Sequence, residues 1–291
     1  PLRERKSLGS GVLEVAYLGD RYQMDNDRLD MLQELVTKFN NTRTADQQRA
    51  LNDIINYIVD DMRQVMLAPH KRMDLIDGDL RSDGKASVKV DDNPQGIELL
   101  DIELPVNRVT PTTGDKDHFV AYLMNQIVEL RTKFGMFVSM EMSRKTFINS
   151  IVGSKDFGEF YKQSFAQREV QISSGLMSSQ MATTIFQGLG LPPIVINEDM
   201  VELADGTMKQ VFKDNRISLF TTAKQGKMRW HTPYEITDPV PGKTYTRSEG
   251  GMYISNIRTD EGRFMEYGCE WIPEYTNPNK IVIFDLDTML A

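Results

Sequence analysis

Four aspartates, Asp74, Asp77, Asp79 and Asp83, crowd the segment MDLIDGDLRSDGKAS. Carboxylates at this density suggest calcium, but an EF-hand loop needs a glutamate at its twelfth position, and no frame of the segment supplies one. The same stretch, Gly78 to Ser87, nearly spells a phosphate-binding loop. Such a loop requires four residues between its glycines and a hydroxyl for magnesium, whereas here five intervene and Ala86 stands at the hydroxyl's place. Turn chemistry at a charged hairpin tip is the expectation that remains. Gly242-Lys243-Thr244 lacks the leading glycine altogether. His70, His118 and His231 are isolated from Cys269 and from one another, so no zinc spacing exists. A lone cysteine forms no internal disulfide and is what a cytosolic chain would show. No Gly-x-Ser-x-Gly elbow presents a serine nucleophile. These residues therefore nominate no catalytic, cofactor-binding or metal-binding set.

The ending IVIFDLDTML is a separate case. An apolar strand followed by Asp-x-Asp-x-Thr resembles the first motif of haloacid-dehalogenase-type phosphatases, in which Asp285 would be the nucleophile and Asp287 an acid. That chemistry needs a following α/β domain to bring a lysine and further carboxylates to magnesium, and only four residues follow Asp287. Asp285 and Asp287 are expected to be solvated ends of a terminal strand, with a magnesium-dependent phosphatase as the rival from another functional class.

The elements that would hold any site follow from periodicity. Residues 11–18 read as a strand. Leu29, Leu32, Leu35, Val36 and Phe39 recur at three and four, the one-face spacing of an amphipathic helix. Thr44 to Gln47 forms a capping box, and Leu51, Ile54, Ile55, Ile58, Val59, Met62, Val65 and Met66 stripe a second helix. Pro69 should close it. Together these make a once-broken helix of roughly forty residues, about 60 Å long. From Met73 to Leu104 the period changes to two, around a turn at Asn93 to Gly96, and predicts a β-hairpin arm. Asp115 should cap a helix carrying Phe119, Leu123, Ile127, Leu130 and Phe134, ended by Gly135. Met136–Met142 is strand-like, Ser143 caps a short helix, and Phe157, Phe160, Tyr161 and Phe165 suggest another. A further helix runs from about Leu176 to Gln187. Met124, Met136, Met140 and Met142 read as core filler. Strands at Met252–Arg258, Arg263–Ile272 and Lys280–Leu286 finish the chain.

Forty per cent apolar and 26% charged residues over 291 positions is globular composition, with room for one large domain or two smaller ones. No run of about eighteen apolar residues would span a membrane. A net charge of −8, from 34 basic and 42 acidic residues, argues against a dedicated DNA-binding module but leaves weak contact with DNA open. Residues 1–9 are charged and lack the apolar core of a signal peptide.

Residues 191–230, LPPIVINEDMVELADGTMKQVFKDNRISLFTTAKQGKMRW, join an apolar strand, an Asp205-Gly206 turn, "KDNRISLF", a glycine and a last strand. This order resembles the late part of tailed-phage major capsid proteins, in the lambda-like branch of the Hong-Kong-97 fold. The resemblance extends over most of the chain, through the long helix, the hairpin and "MSRKTF". It implies an α+β fold with a long spine helix, a peripheral P-domain sheet and an axial A-domain. Residues 1–24 would end an N-terminal arm and E-loop, 25–118 form the P-domain with its spine at Asp25–Met66, 119–249 the A-domain, and 250–291 the returning P-domain strands. Leu51, Ile55, Ile58 and Met62 would seat the spine on the sheet. Because little precedes the spine, the gene is expected to encode several tens of residues before Pro1. An alternative assignment makes Met73–Leu104 the E-loop and the helix after Asp115 the spine.

The function so implied is geometric. Copies would tile an icosahedral phage or prophage head as pentamers and hexamers, without active site or cofactor. The partners implied are the chain itself, scaffold, protease or portal proteins and non-specifically packaged DNA, with no membrane. The location would be the virion, after assembly in the host cytoplasm. An encapsulin-like nanocompartment shell is the alternative that shares the fold.

Overall fold

The computed structural model describes residues 17–24, 26–42, 46–88, 100–164, 179–203, 206–260 and 262–290. In chain order the elements begin with β1 (Tyr17–Met24), α1 (Asn26–Asn41), α2 (Gln47–Asp83), β2 (Lys85–Val88), β3 (Leu100–Glu103) and β4 (Asn107–Val109). Next come α3 (Phe119–Phe134), β5 (Ser139–Ser143), α4 (Arg144–Thr146), a π-helical turn at Phe147–Val152, α5 (Lys155–Ser164) and α6 (Ser179–Gly188). After these follow β6 (Ile194–Asn197), β7 (Met200–Glu202), β8 (Met208–Gln210), β9 (Arg216–Phe220), β10 (Gly226–His231) and α7 (Tyr234–Thr237). The chain ends with β11 (Thr244–Arg247), β12 (Tyr253–Thr259), β13 (Gly262–Tyr275), β14 (Val282–Asp285) and α8 (Asp287–Leu290). The expected capping hydroxyl of Thr44, the hairpin turn at Asn93 to Gly96, Phe165, Asp205 and most of the 11–18 strand lie outside the described residues.

Two compact units divide the chain. One contains, among the described residues, 17–69, 100 and 229–272; the other contains 70–88, 101–228 and 273–290. The second is built on a five-stranded sheet of order β4-β14-β9-β5-β6. The pairs β4–β14 and β5–β6 are parallel, and β14–β9 and β9–β5 antiparallel. Neither face of its inner strands is left to water: Ile217, Leu219, Val282, Ile283 and Phe284 are all fully buried, as are the polar Ser218 of β9 and, nearly so, Glu141 of β5. The apolar stripe of α3 packs there, with Phe119, Leu123 and Ile127 completely buried beside Met140, Met142, Phe157 and Phe186. Met136 departs from the expected core role and is 69% exposed. Asp115 lies in a short 3₁₀ turn before α3, within a capping box with Thr112, and not at the cap of the helix.

The first unit carries an antiparallel sheet of order β1-β13-β12-β11. Tyr17 to Met24 pair in register with Glu270 to Arg263, and Tyr253 to Thr259 with Gly268 to Gly262. Tyr253, Phe264, Tyr267, Cys269 and Trp271 are buried in it. The expected terminal strands thus appear, but in different sheets: β12 and β13 here, β14 in the other unit.

The long helix is the main correction to the sequence reading. Pro69 does not close it; α2 runs 37 residues with Pro69 inside. A proline within a helix removes one backbone hydrogen bond and costs about 3 kcal/mol, so packing beyond it must carry the helix on. Leu75, Ile76 and Leu80, at helical spacing, are buried. Gly78, read as a turn residue, is where the helix touches backbone, since a Cβ there would lie 2.2 Å from the Val211 carbonyl oxygen. The helix stops at Gly84, whose φ of +68° suits glycine and whose N–H donates to the Leu80 carbonyl at 2.9 Å. Of the hairpin expected over Met73–Leu104, the described residues show the β2–β3 pair, while Met73–Asp83 is helical and residues 89–99 lie outside the description. Two residues expected to seat the spine, Leu51 and Ile55, are 36% and 44% exposed.

Candidate functional site

Asp287 is exposed, as expected of a solvated end, and Asp285 is partly covered, but both are ion-paired. β14 and α8 bring them against Arg216 at the start of β9, whose Nη1 lies 2.7 Å from Asp285 Oδ1 and whose Nη2 lies 2.7 Å from Asp287 Oδ2. Arg108 on β4 reaches Asp83 at 2.9 Å and Asp285 at 3.9 Å. Lys213 reaches Asp83 at 3.0 Å and Asp79 at 3.5 Å. Asn215, held at a φ of 57°, donates its side-chain N–H to Asp287 at 3.0 Å. The end of α2, the β9 turn and the chain's last strand are thus tied by interleaved charges.

These contacts set the protonation states. The hydrogen bond from Arg216 holds Asp287 below the usual carboxylate range. Burial would raise Asp83, but hydrogen bonds from Lys213 and Arg108 outweigh it and leave it lowered. Burial works against the Arg216 charge, yet Asp287, Asp285 and Asp83 together raise its pKa. A nucleophilic carboxylate must offer an oxygen to phosphorus and share magnesium with further acids. Here guanidinium groups occupy those directions. The geometry is that of a charge-neutralising clasp.

A second polar cluster sits deeper in the same unit. Arg81 of α2 is bonded to the carboxylate of Glu141, a residue 2% exposed in the middle of β5. Asn197 of β6 donates to the other Glu141 oxygen at 3.0 Å. The Arg81 guanidinium lies 5.6 Å from the centre of the Phe220 ring, and Ser218 donates to the Arg81 carbonyl at 2.6 Å. Burial dominates Glu141 and raises its pKa in spite of the Arg81 charge. Tyr275 donates to Asp77 at 2.5 Å; burial and the Asp77 charge push the phenol well above its ordinary range. The sequence reading missed this cluster. Its one signal was a single acid, Glu141, between the apolar Met140 and Met142.

Two cavities, of about 350 and 330 Å³, open on either side of Asp74, Asp77 and Arg81. The aspartates sit on the flank of a helix and not on a calcium loop. Burial and the neighbouring Asp77 raise Asp74. A third cavity, of about 430 Å³, lies beside Arg144 and Lys145, which are paired with Glu198 and Asp214. Among the described residues no group of three or more His, Cys, Asp or Glu side chains is placed to hold a metal ion. The histidines do not converge; His231 pairs with Glu270 at 2.6 Å. Cys269 is buried, and burial pushes its thiol up to about 12, far from a reactive thiolate.

No family model matches the sequence, and no curated protein matches it. Solved structures do. A protein of Escherichia coli CFT073 described as the "putative capsid protein of prophage" superposes with a TM-score of 0.60 at 14% identity, covering 94% of this chain and 78% of that one. The fold is that of a phage capsid protein. A phage-related protein of Bordetella bronchiseptica RB50 matches at 11% identity and a TM-score of 0.45, over 100% of this chain and 82% of its own. The SrpI encapsulin of Synechococcus elongatus PCC 7942 matches at 10% identity and 0.35, over 94% and 75%. These two scores are too low to bear on the fold. Among the described residues no helix is long and apolar enough to cross a membrane.

Proposed function

We propose that the chain is the major capsid protein of a tailed phage or prophage, a structural subunit that tiles an icosahedral head through pentamers and hexamers. The observation that carries this reading is the likeness to the E. coli prophage capsid protein along 94% of the chain. The Hong-Kong-97 type and its lambda-like branch belong to the same proposal and rest on the order of strands and turns in residues 191–230. In this reading α2 is the spine, the sheet β1-β13-β12-β11 belongs to the P-domain, and the five-stranded sheet with α3, α5 and α6 forms the A-domain. The work done is mechanical and not enzymatic: summed interface area between copies, with no reacting group. Partners beyond the chain itself would be portal, scaffold or protease proteins and packaged DNA.

Expression of the full-length gene product, followed by sedimentation velocity, tests the reading. Particles of several megadaltons or more support it. A product that remains monomeric at all accessible concentrations, or that hydrolyses phosphate esters with magnesium in a manner abolished by Asp285→Asn, overturns it.

A further inference from the structure

Most described arginines are committed inside the chain. Arg81, Arg108, Arg144 and Arg216 hold carboxylates, and Arg131 and Arg247 hold carbonyl oxygens. Arg258 and Arg263 are different. The β12–β13 register sets them directly opposite each other, both are exposed, and neither side chain has an ion pair or hydrogen bond among the described residues. Directly opposed side chains of an antiparallel pair share a face, with Cβ atoms about 5 Å apart, and like charges there are destabilising. An anion lying across both guanidinium groups, whose planar forks suit carboxylates, would offset that repulsion.

The same unit carries a fitting set of acids. Asp27, Asp30 and Glu34 of α1 recur at three and four, and so line one helical face over about 10 Å. All three are exposed and none is paired among the described residues; Glu34 stands four residues before Lys38 without bonding it. Asp27 also complements the positive end of its own helix, whereas Asp30 and Glu34 have no partner among the described residues. The basic pair and the acidic stripe are complementary in charge, and both belong to every copy.

We infer that the Arg258–Arg263 face of the β12–β13 hairpin is an interface for a second copy of this chain, which presents Asp27, Asp30 and Glu34 of its α1. The inference rests on the shell reading and adds a specific contact to it. A contact between two different patches is heterologous, so it passes from copy to copy and closes by rotation into rings. Exposed charges of this kind steer and register partners more than they hold them.

Charge reversal tests it in the full-length protein. Sedimentation velocity is recorded at about 0.05 M and about 0.5 M salt, since exposed pairs are screened at the higher value. R258E/R263E and D27K/D30K/E34K should each raise the concentration needed for association about tenfold or more, and the chain carrying all five changes should recover it. R258E/R263E should unfold with wild type, because both residues are exposed, and D27K/D30K/E34K should unfold slightly earlier, because it removes the favourable charge at the N-terminus of α1, so its loss of association is read against that small difference. If wild type assembles and either reversed surface leaves assembly unchanged, the interface is wrong and the shell reading stands. If wild type stays monomeric at both salts, the shell reading fails and the interface with it. If only the arginine variant has an effect, and it loses retention of DNA, the arginines serve phosphates and the interface is overturned.

Discussion

At the residue scale the molecule spends its buried charge on structure. Glu141 is held above the usual carboxylate range by burial, so the folded chain binds its proton more tightly than the unfolded chain does. Its contribution to stability is complete below the unfolded value of 4.5 and is lost as pH rises through the folded value. Glu141→Gln keeps an acceptor for Arg81 and removes that loss. Relative to wild type the variant should gain stability as pH rises from 4.5 through the folded value of Glu141 and then level off, as read by urea unfolding at several pH values. Asp83 and Asp287 act oppositely, losing their contribution as pH falls, but they are common to both chains and cancel in the comparison. An unchanged difference across the range would mean that Glu141 titrates as an exposed acid. Arg216 is only 12% exposed and faces three carboxylates. Arg216→Ala should cost about 1.5–3 kcal/mol, the range for losing hydrogen bonds to charged groups, because its carboxylates are partly exposed and Asp83 and Asp285 keep Arg108. A loss under about 1 kcal/mol, the range of surface pairs, would show the clasp to be solvated. None of this was legible from spacing. Asp285 and Asp287 could be found in the sequence, but their partners Arg216 and Arg108 lie far away along the chain and come close only through sheet pairing.

At the element scale the legible parts were those whose burial is one-sided and local. The stripe from Phe119 to Phe134, the helix stop at Gly135 and the serine cap at Ser143, which accepts from the Thr146 N–H at 3.2 Å, all stand in the structure. The paired strands at 253–259 and 262–275 agree with their expected positions to within a few residues. What failed was α2 beyond Pro69. Local rules there favour a stop, and Gly78, Asp79 and Gly84 mimic turns, so only packing against Val211 and the five-stranded sheet makes the segment helical. Gly78→Ala is the sharpest probe of that packing. Alanine should gain about 1 kcal/mol of helix propensity, but its Cβ would meet the Val211 carbonyl at 2.2 Å. Overpacking of about 1–3 kcal/mol should prevail, with net destabilisation in thermal or chemical unfolding. Net stabilisation would mean that the helix does not approach that backbone.

At the scale of the whole molecule, the capsid fold was legible as an order of pieces and not as chemistry. The chain shares 14% identity with the prophage capsid protein whose fold it has, which leaves few residues in common but keeps the sequence of strands, turns and helices. In the proposed reading, function lies in surfaces that meet other copies, and such surfaces have no fixed residue spacing to recognise. The central claim is therefore best tested on the assembled object. Electron cryomicroscopy of the full-length gene product should show closed icosahedral particles whose asymmetric unit accepts each of the two units described above. Particles with no icosahedral symmetry, or a chain that yields only monomers and small oligomers, would contradict the assignment.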